Sequence, residues 1–257
     1  MPDPLILQIG IAGFYLLAAV LLAGKLFGRW QKIDAVAVLL VLIGGGLHLL
    51  ILQQRWMEFG RLPIVTRYEN ISVDSLAVIV IYLLAQWRVP ELRNSGIFVL
   101  PVAAIGMVTA LWYNPGSFPW TPALRTNWLV IHASLNSLAI GAGTLAAAAV
   151  LIPSRIHVGL KGRLLAWAFF LWCAMIAAGS YWASLSWGRF WGWDPIESWA
   201  LATALIYAFM LHLRLKPAWR AMSSRILFGL LPYIMMMFTT YGLLMVRNSA
   251  HSQYLFQ

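Results

Sequence analysis

Residues 187–199 read WGRFWGWDPIESW. Trp187, Trp191, Trp193 and Trp199 fall within this one short segment, and two long apolar runs flank it. The segment is too polar to cross a bilayer and too aromatic for an ordinary connection. An aromatic platform at a membrane surface accounts for both properties, because indole rings settle where apolar chains meet water. The flanking runs are then membrane helices, and the rest of the chain can be placed relative to them.

Composition supports that placement. Of 257 residues, 61% are hydrophobic and 10% charged, with a mean hydropathy of +0.78. A soluble domain could not keep so apolar a chain dispersed. The single cysteine, Cys173, lies inside an apolar run, so neither a disulfide framework nor a redox CxxC pair can form, and it reads as a small core residue. Apolar runs occur at about 5–24, 35–54, 72–87, 96–113, 128–152, 164–184, 195–213 and 224–246. No basic residue precedes the first, which reads as a retained helix rather than a cleaved signal. The expected fold is all-α: about eight transmembrane helices in one integral membrane domain over 1–257. Residues 185–199 form its external tryptophan-rich segment.

Eight spans place alternate connections on opposite sides. One set carries Lys25, Arg88, Arg93, Lys161, Arg214 and other basic residues for a net charge of +10, and the other set sums to zero. The positive-inside rule then puts both termini and the tryptophan segment outside. The same asymmetry explains the basic character without a nucleic-acid partner and leaves lipid as the surrounding medium.

Asp194, Pro195 and Glu197 fit an N-cap, an N1 proline and an N3 glutamate, a helix start. That reading leaves the tryptophans unexplained. An aromatic belt spreads its rings over many helices, whereas these are packed together, and flat indole faces suit a large planar apolar ligand. His132, one turn inside the fifth run, and His251, just beyond the eighth, fall on the same side as the tryptophans. Two such imidazoles could ligate a haem iron axially, although a single interfacial histidine more often bonds to backbone or headgroups. His212 lies near the inner end of the seventh run, where an ionisable residue is either functional or bonded to headgroups beside Arg214. His48 follows Gly44-Gly45-Gly46 at a depth that does not match His212, and His157 falls in a basic loop.

The tryptophan segment resembles the "WWD" signature of the haem-handling cytochrome c assembly proteins, in the form used by the CcsA (ResC) branch. Three further stretches are similar to that branch: GRLPIVTRYEN from Gly60, TPALRTNWLVIH ending at His132, and YAFMLHLR around His212. The CcmC and CcmF branches share the signature, but the D-P-x-E-x-W form and the segment after Gly60 favour CcsA. The resemblance implies that His132 and His251 are external axial ligands of haem b beside Trp187, Trp191, Trp193 and Asp194. It makes His212 a ligand at an inner site whose second ligand comes from a CcsB (ResB) partner. The family tail usually reads GLHSYG, and here it is SAHSQY.

The function implied is cytochrome c biogenesis: haem delivered across the membrane and presented outside to the C-x-x-C-H segment of apocytochrome c. No residue is an evident acid, base or nucleophile, so the contribution expected is positioning, within a haem lyase complex formed with the partner. The membrane would be a bacterial inner membrane or a thylakoid membrane. Two other functions are a regulatory relative without haem transport and a b-type electron-transfer cytochrome. The latter expects histidine pairs at two depths within one chain, whereas only His212 and His48 lie well inside.

Overall fold

The computed structural model describes residues 4–26, 28, 33–113, 116, 121–151, 157–213, 215–216 and 222–242. His251 lies outside the described residues. The helices are α1 (Pro4–Leu26), α2 (Asp34–Phe59), α3 (Arg67–Arg88), α4 (Gly96–Ala110), α5 (Asn127–Leu151), α6 (Val158–Trp187), α7 (Pro195–Leu213) and α8 (Met222–Met237). A π-turn, Phe238–Gly242, continues α8. Among the described residues there is no strand, and seven helices are long and apolar enough to cross a membrane. The chain is an all-α polytopic membrane protein. The eighth apolar run is helical as well, over the part that is described.

Helices α1–α4 form one compact unit and α5–α8 another. In the first, α1 packs on α2 and α4, and α3 packs on α2 and α4. One end of this unit is closed by charge. Glu69 is fully buried and accepts from Arg61 Nη1 at 2.8 Å, Arg55 Nη2 at 3.1 Å, and the backbone N–H groups of Val65 (2.9 Å) and Thr66 (3.0 Å). Thr66 Oγ1 accepts from Glu69 N, which completes a capping box at the start of α3. Arg55 also lies between the Phe59 and Tyr68 rings, 4.9 and 4.7 Å from their centroids. A buried carboxylate with four donors is held firmly, and removal of such a partner typically costs about 3–5 kcal/mol. The GRLPIVTRYEN stretch thus forms an ion-paired turn joining α2 to α3, and α3 begins at Arg67, ahead of the apolar run at 72. At the opposite end Asp34 accepts from Lys25 Nζ at 2.7 Å and Arg93 Nη1 at 2.9 Å, tying α1 and α2 to the turn Pro90–Ser95 before α4.

In the second unit α5 packs on α6 and α8, and α7 packs on α6 and α8. Residues 139–149 of α5 are all buried, and all but Ile140, Thr144 and Leu145 are glycine or alanine. Small residues let helix backbones approach closely where no water drives association. Thr144 Oγ1 donates to the Ile140 carbonyl, as a buried hydroxyl in a membrane helix must find an acceptor. α6 begins at Val158, six residues before its apolar run, and takes in Lys161 and Arg163. Long basic side chains bury their stems and carry their charge beyond the apolar layer, so helix extends past hydropathy.

Candidate functional site

The site begins with helix ends in the second unit. Thr126 Oγ1 accepts from Leu129 N at 3.1 Å, which caps the start of α5 and puts His132 in its second turn. α6 ends at Trp187, where Gly188 adopts φ 76° and donates to the Ser184 carbonyl. Trp182 Nε1 and Ser186 Oγ both donate to the Ala123 carbonyl, at 2.8 and 3.3 Å. These bonds fasten the end of α6 to the segment leading into α5.

His132 sits against α6. Its Nδ1–H donates to the Met175 carbonyl at 3.0 Å, and its ring stacks on Trp182 with centroids 5.8 Å apart and an interplanar angle of 21°. A neutral ring that donates from Nδ1 carries its lone pair on Nε2, the nitrogen a haem iron takes. Gly179 makes room for the ring, since a Cβ there would lie 2.6 Å from His132 Nδ1. Met175, Gly179 and Trp182 recur at i, i+4 and i+7 on one face of α6. That spacing is the sequence signal of the His132 cradle, and it lies outside Trp187–Trp199.

The four tryptophans do not form one floor. Trp187, still on α6, packs edge-on to Trp182 at 5.1 Å. Trp199, on α7, packs edge-on to Phe238 at 5.0 Å. Only Trp191 and Trp193 stand on the loop, edge to face at 5.9 Å, and Trp193 is 70% exposed. Trp193 also has φ 56°, a left-handed backbone at a non-glycine residue.

Asp194 and Glu197 behave as the helix-start pattern predicts. Asp194 Oδ1 accepts from Glu197 N at 2.8 Å, and Glu197 Oε2 accepts from Asp194 N at 3.3 Å and Gly192 N at 2.6 Å. Both carboxylates are buried, so they shape the loop and start α7. His212 stands seventeen residues further along α7, about 26 Å from that start at 1.5 Å per residue. It is exposed, and its Nδ1–H donates to the Ala208 carbonyl at 2.7 Å, which again leaves the lone pair on Nε2.

His48, in the first unit, is fully buried between Tyr15 and Ser72. His157 is exposed at the N-terminus of α6. Among the described residues no group of three or more His, Cys, Asp or Glu side chains could hold a bare metal ion. One imidazole beside aromatic rings instead suits a metal that arrives with its own planar ligand.

The fold and this arrangement define a polytopic all-α membrane protein with a histidine–tryptophan cluster at the helix ends of its second unit. The profile of the family described as "Cytochrome C assembly protein" matches residues 64–251, and the chain belongs to that family. It is similar to the cytochrome c biogenesis protein CcsA of Microcystis aeruginosa, 27% identical over 246 residues, covering 69% of this chain and 75% of that protein. The CcsA protein of Trieres chinensis is 26% identical over 258 residues, covering 79% of this chain and 82% of its own length. That of Chlamydomonas reinhardtii is 25% identical over 246 residues, covering 86% and 69%. The protein is a cytochrome c biogenesis protein of the membrane, and the relatives bear out the likeness to the CcsA branch.

Proposed function

We propose that the protein binds haem b, carries it across the membrane and presents it outside for attachment to apocytochrome c. The observation that supports this most directly is the His132 cradle. The Met175 carbonyl holds the Nδ1–H, Trp182 covers the ring face, and Nε2 is the basic nitrogen at the aromatic end of the unit. His251, from the tail, supplies the second outer axial ligand. Trp187, Trp191 and Trp193 offer apolar faces and edges to the porphyrin. Asp194 holds the loop that carries two of them. His212 ligates haem at the opposite depth, and a CcsB-type partner supplies the other ligand there.

Bound haem brings the vinyl groups and the iron. His132 and His251 would hold the iron, and the tryptophans would exclude water and position the porphyrin for the incoming C-x-x-C-H segment. His132 or His251 would yield its place on the iron to the apocytochrome histidine. The charge asymmetry supports an orientation with the tryptophan end outside a bacterial cytoplasmic membrane or in the lumen of a thylakoid.

The test is spectroscopic. The purified chain, with and without its partner, is reconstituted with haem and its Soret and α/β bands are recorded. The wild type is expected to give a six-coordinate bis-histidine spectrum that the His132→Ala, His251→Ala double variant loses. A double variant with full wild-type absorption would sink the outer site.

A further inference from the structure

The charges at the tryptophan end of the second unit are unevenly exposed. Its two described carboxylates, Asp194 and Glu197, are buried and occupied by backbone N–H groups. Its two described cations, Arg125 and Arg189, are both exposed. Among the described residues, the charges exposed at this end are therefore cationic although the formal charges cancel.

Both arginines adjoin in sequence residues that pack around the His132 cradle. Arg125 ends the turn Pro122–Leu124, two residues from the Ala123 carbonyl that receives Trp182 and Ser186. Arg189 follows Gly188 directly after α6, two residues past Trp187. Its guanidinium folds over the backbone of Gly192, where a Cβ would lie 2.5 Å from Arg189 Cζ. The lack of a side chain at position 192 thus lets the guanidinium lie on the loop, between Trp187 and the Trp191–Trp193 pair in sequence. Among the described residues Arg189 makes no ion pair.

We propose that Arg125 and Arg189 form the carboxylate-receiving rim of the outer site, engaging the two propionates of the haem held at His132. This rests on the reading of His132 as a haem ligand and adds how the porphyrin is oriented. A planar dianion with both carboxylates on one edge meets a cationic rim beside an aromatic, axially ligating pocket. Guanidinium groups suit such carboxylates because they can bind them through paired N–H donors. With the propionates at the rim, the opposite, apolar edge of the ring points across the tryptophans. Haem would then enter in one orientation about the iron–imidazole axis rather than several. Anionic lipid headgroups offer the same carboxylate or phosphate chemistry, and the experiment separates the two sources.

The full-length chain, purified in a neutral detergent, is titrated with iron protoporphyrin IX and with its dimethyl ester, whose propionates carry no charge. The Soret band is followed for wild type, the Arg125→Gln, Arg189→Gln double variant, Gly192→Ala and His132→Ala. Wild type is expected to prefer the free acid by about tenfold, and the double variant to lose that preference while binding the ester as wild type does. Gly192→Ala keeps the charge but displaces the guanidinium, so its preference should fall between the two. A double variant that keeps the wild-type preference overturns the proposal, and a simultaneous loss of co-purifying anionic lipid would assign the arginines to headgroups instead. If His132→Ala leaves both titrations unchanged, it is the His132 reading that fails, whatever the arginines do. Unchanged ester binding in the double variant shows that its site is folded.

Discussion

His48 shows what a structural histidine looks like in this chain. Its Nδ1 lies 3.3 Å from the Tyr15 hydroxyl and its Nε2 2.9 Å from Ser72 Oγ, so both nitrogens serve helix packing. His132 and His212 instead each give Nδ1–H to a backbone carbonyl, which orients the ring and leaves Nε2 basic. Hydropathy and spacing set His48 apart only by depth, whereas the hydrogen bonds set it apart by chemistry. Trp193 makes a second point at this scale. A left-handed backbone costs a non-glycine residue about 1–2 kcal/mol, and an indole that is 70% exposed recovers little of that by packing. Strain held at an exposed aromatic beside a candidate site points to use of the ring. Trp193→Gly should therefore raise thermal stability by about 1 kcal/mol while weakening haem retention. Thermal unfolding in detergent and haem content on purification would be measured together. A variant that is less stable than wild type, or that retains haem fully, contradicts the reading.

The eight helices were legible as apolar runs because a bilayer requires about twenty apolar residues per span. Their ends were less so. α3 starts at Arg67 and α6 at Val158, because a buried capping box and snorkelling basic residues extend helix into polar sequence. The D-P-x-E start of α7 was legible to the residue, since capping chemistry is local. The partners of the tryptophans were not, because they depend on the rotation of α5, α6, α7 and α8 about their own axes. That rotation turns Trp199 to Phe238 and sets Trp182 against His132. It also places Gly179 under the imidazole, where a methyl group would collide with Nδ1. Gly179→Ala should push the ring off the Met175 carbonyl, cost about 1–3 kcal/mol and alter the haem spectrum as His132→Ala does. A spectrum identical to wild type would show that the contact of α6 with α5 does not set the ligand. The π-turn after α8, with Thr239 Oγ1 bonded to Thr203 and to the Met235 carbonyl, had no signal in the hydropathy pattern.

The largest-scale expectation is orientation. α7 carries the tryptophan loop at its start and His212 near its far end, a separation of about 26 Å that approaches the roughly 30 Å hydrocarbon core. Haem ligated at both places would have to be handed from one face to the other, which is what a biogenesis protein needs if haem is made on one side and attached on the other. The direction of that transfer rests on which face the tryptophans occupy, and the net +10 of one set of connections predicts that they lie opposite the basic side. Cys173 is the only cysteine, so replacing it with alanine gives a background for single-cysteine labelling. Phe190, 61% exposed in the tryptophan loop, and Leu215, 74% exposed just past α7, report on the two faces. In intact cells Phe190→Cys should react with a membrane-impermeant maleimide and Leu215→Cys should not, with both reacting once the membrane is dissolved. The reverse pattern would invert the topology and make His212, rather than His132, the ligand that meets apocytochrome c.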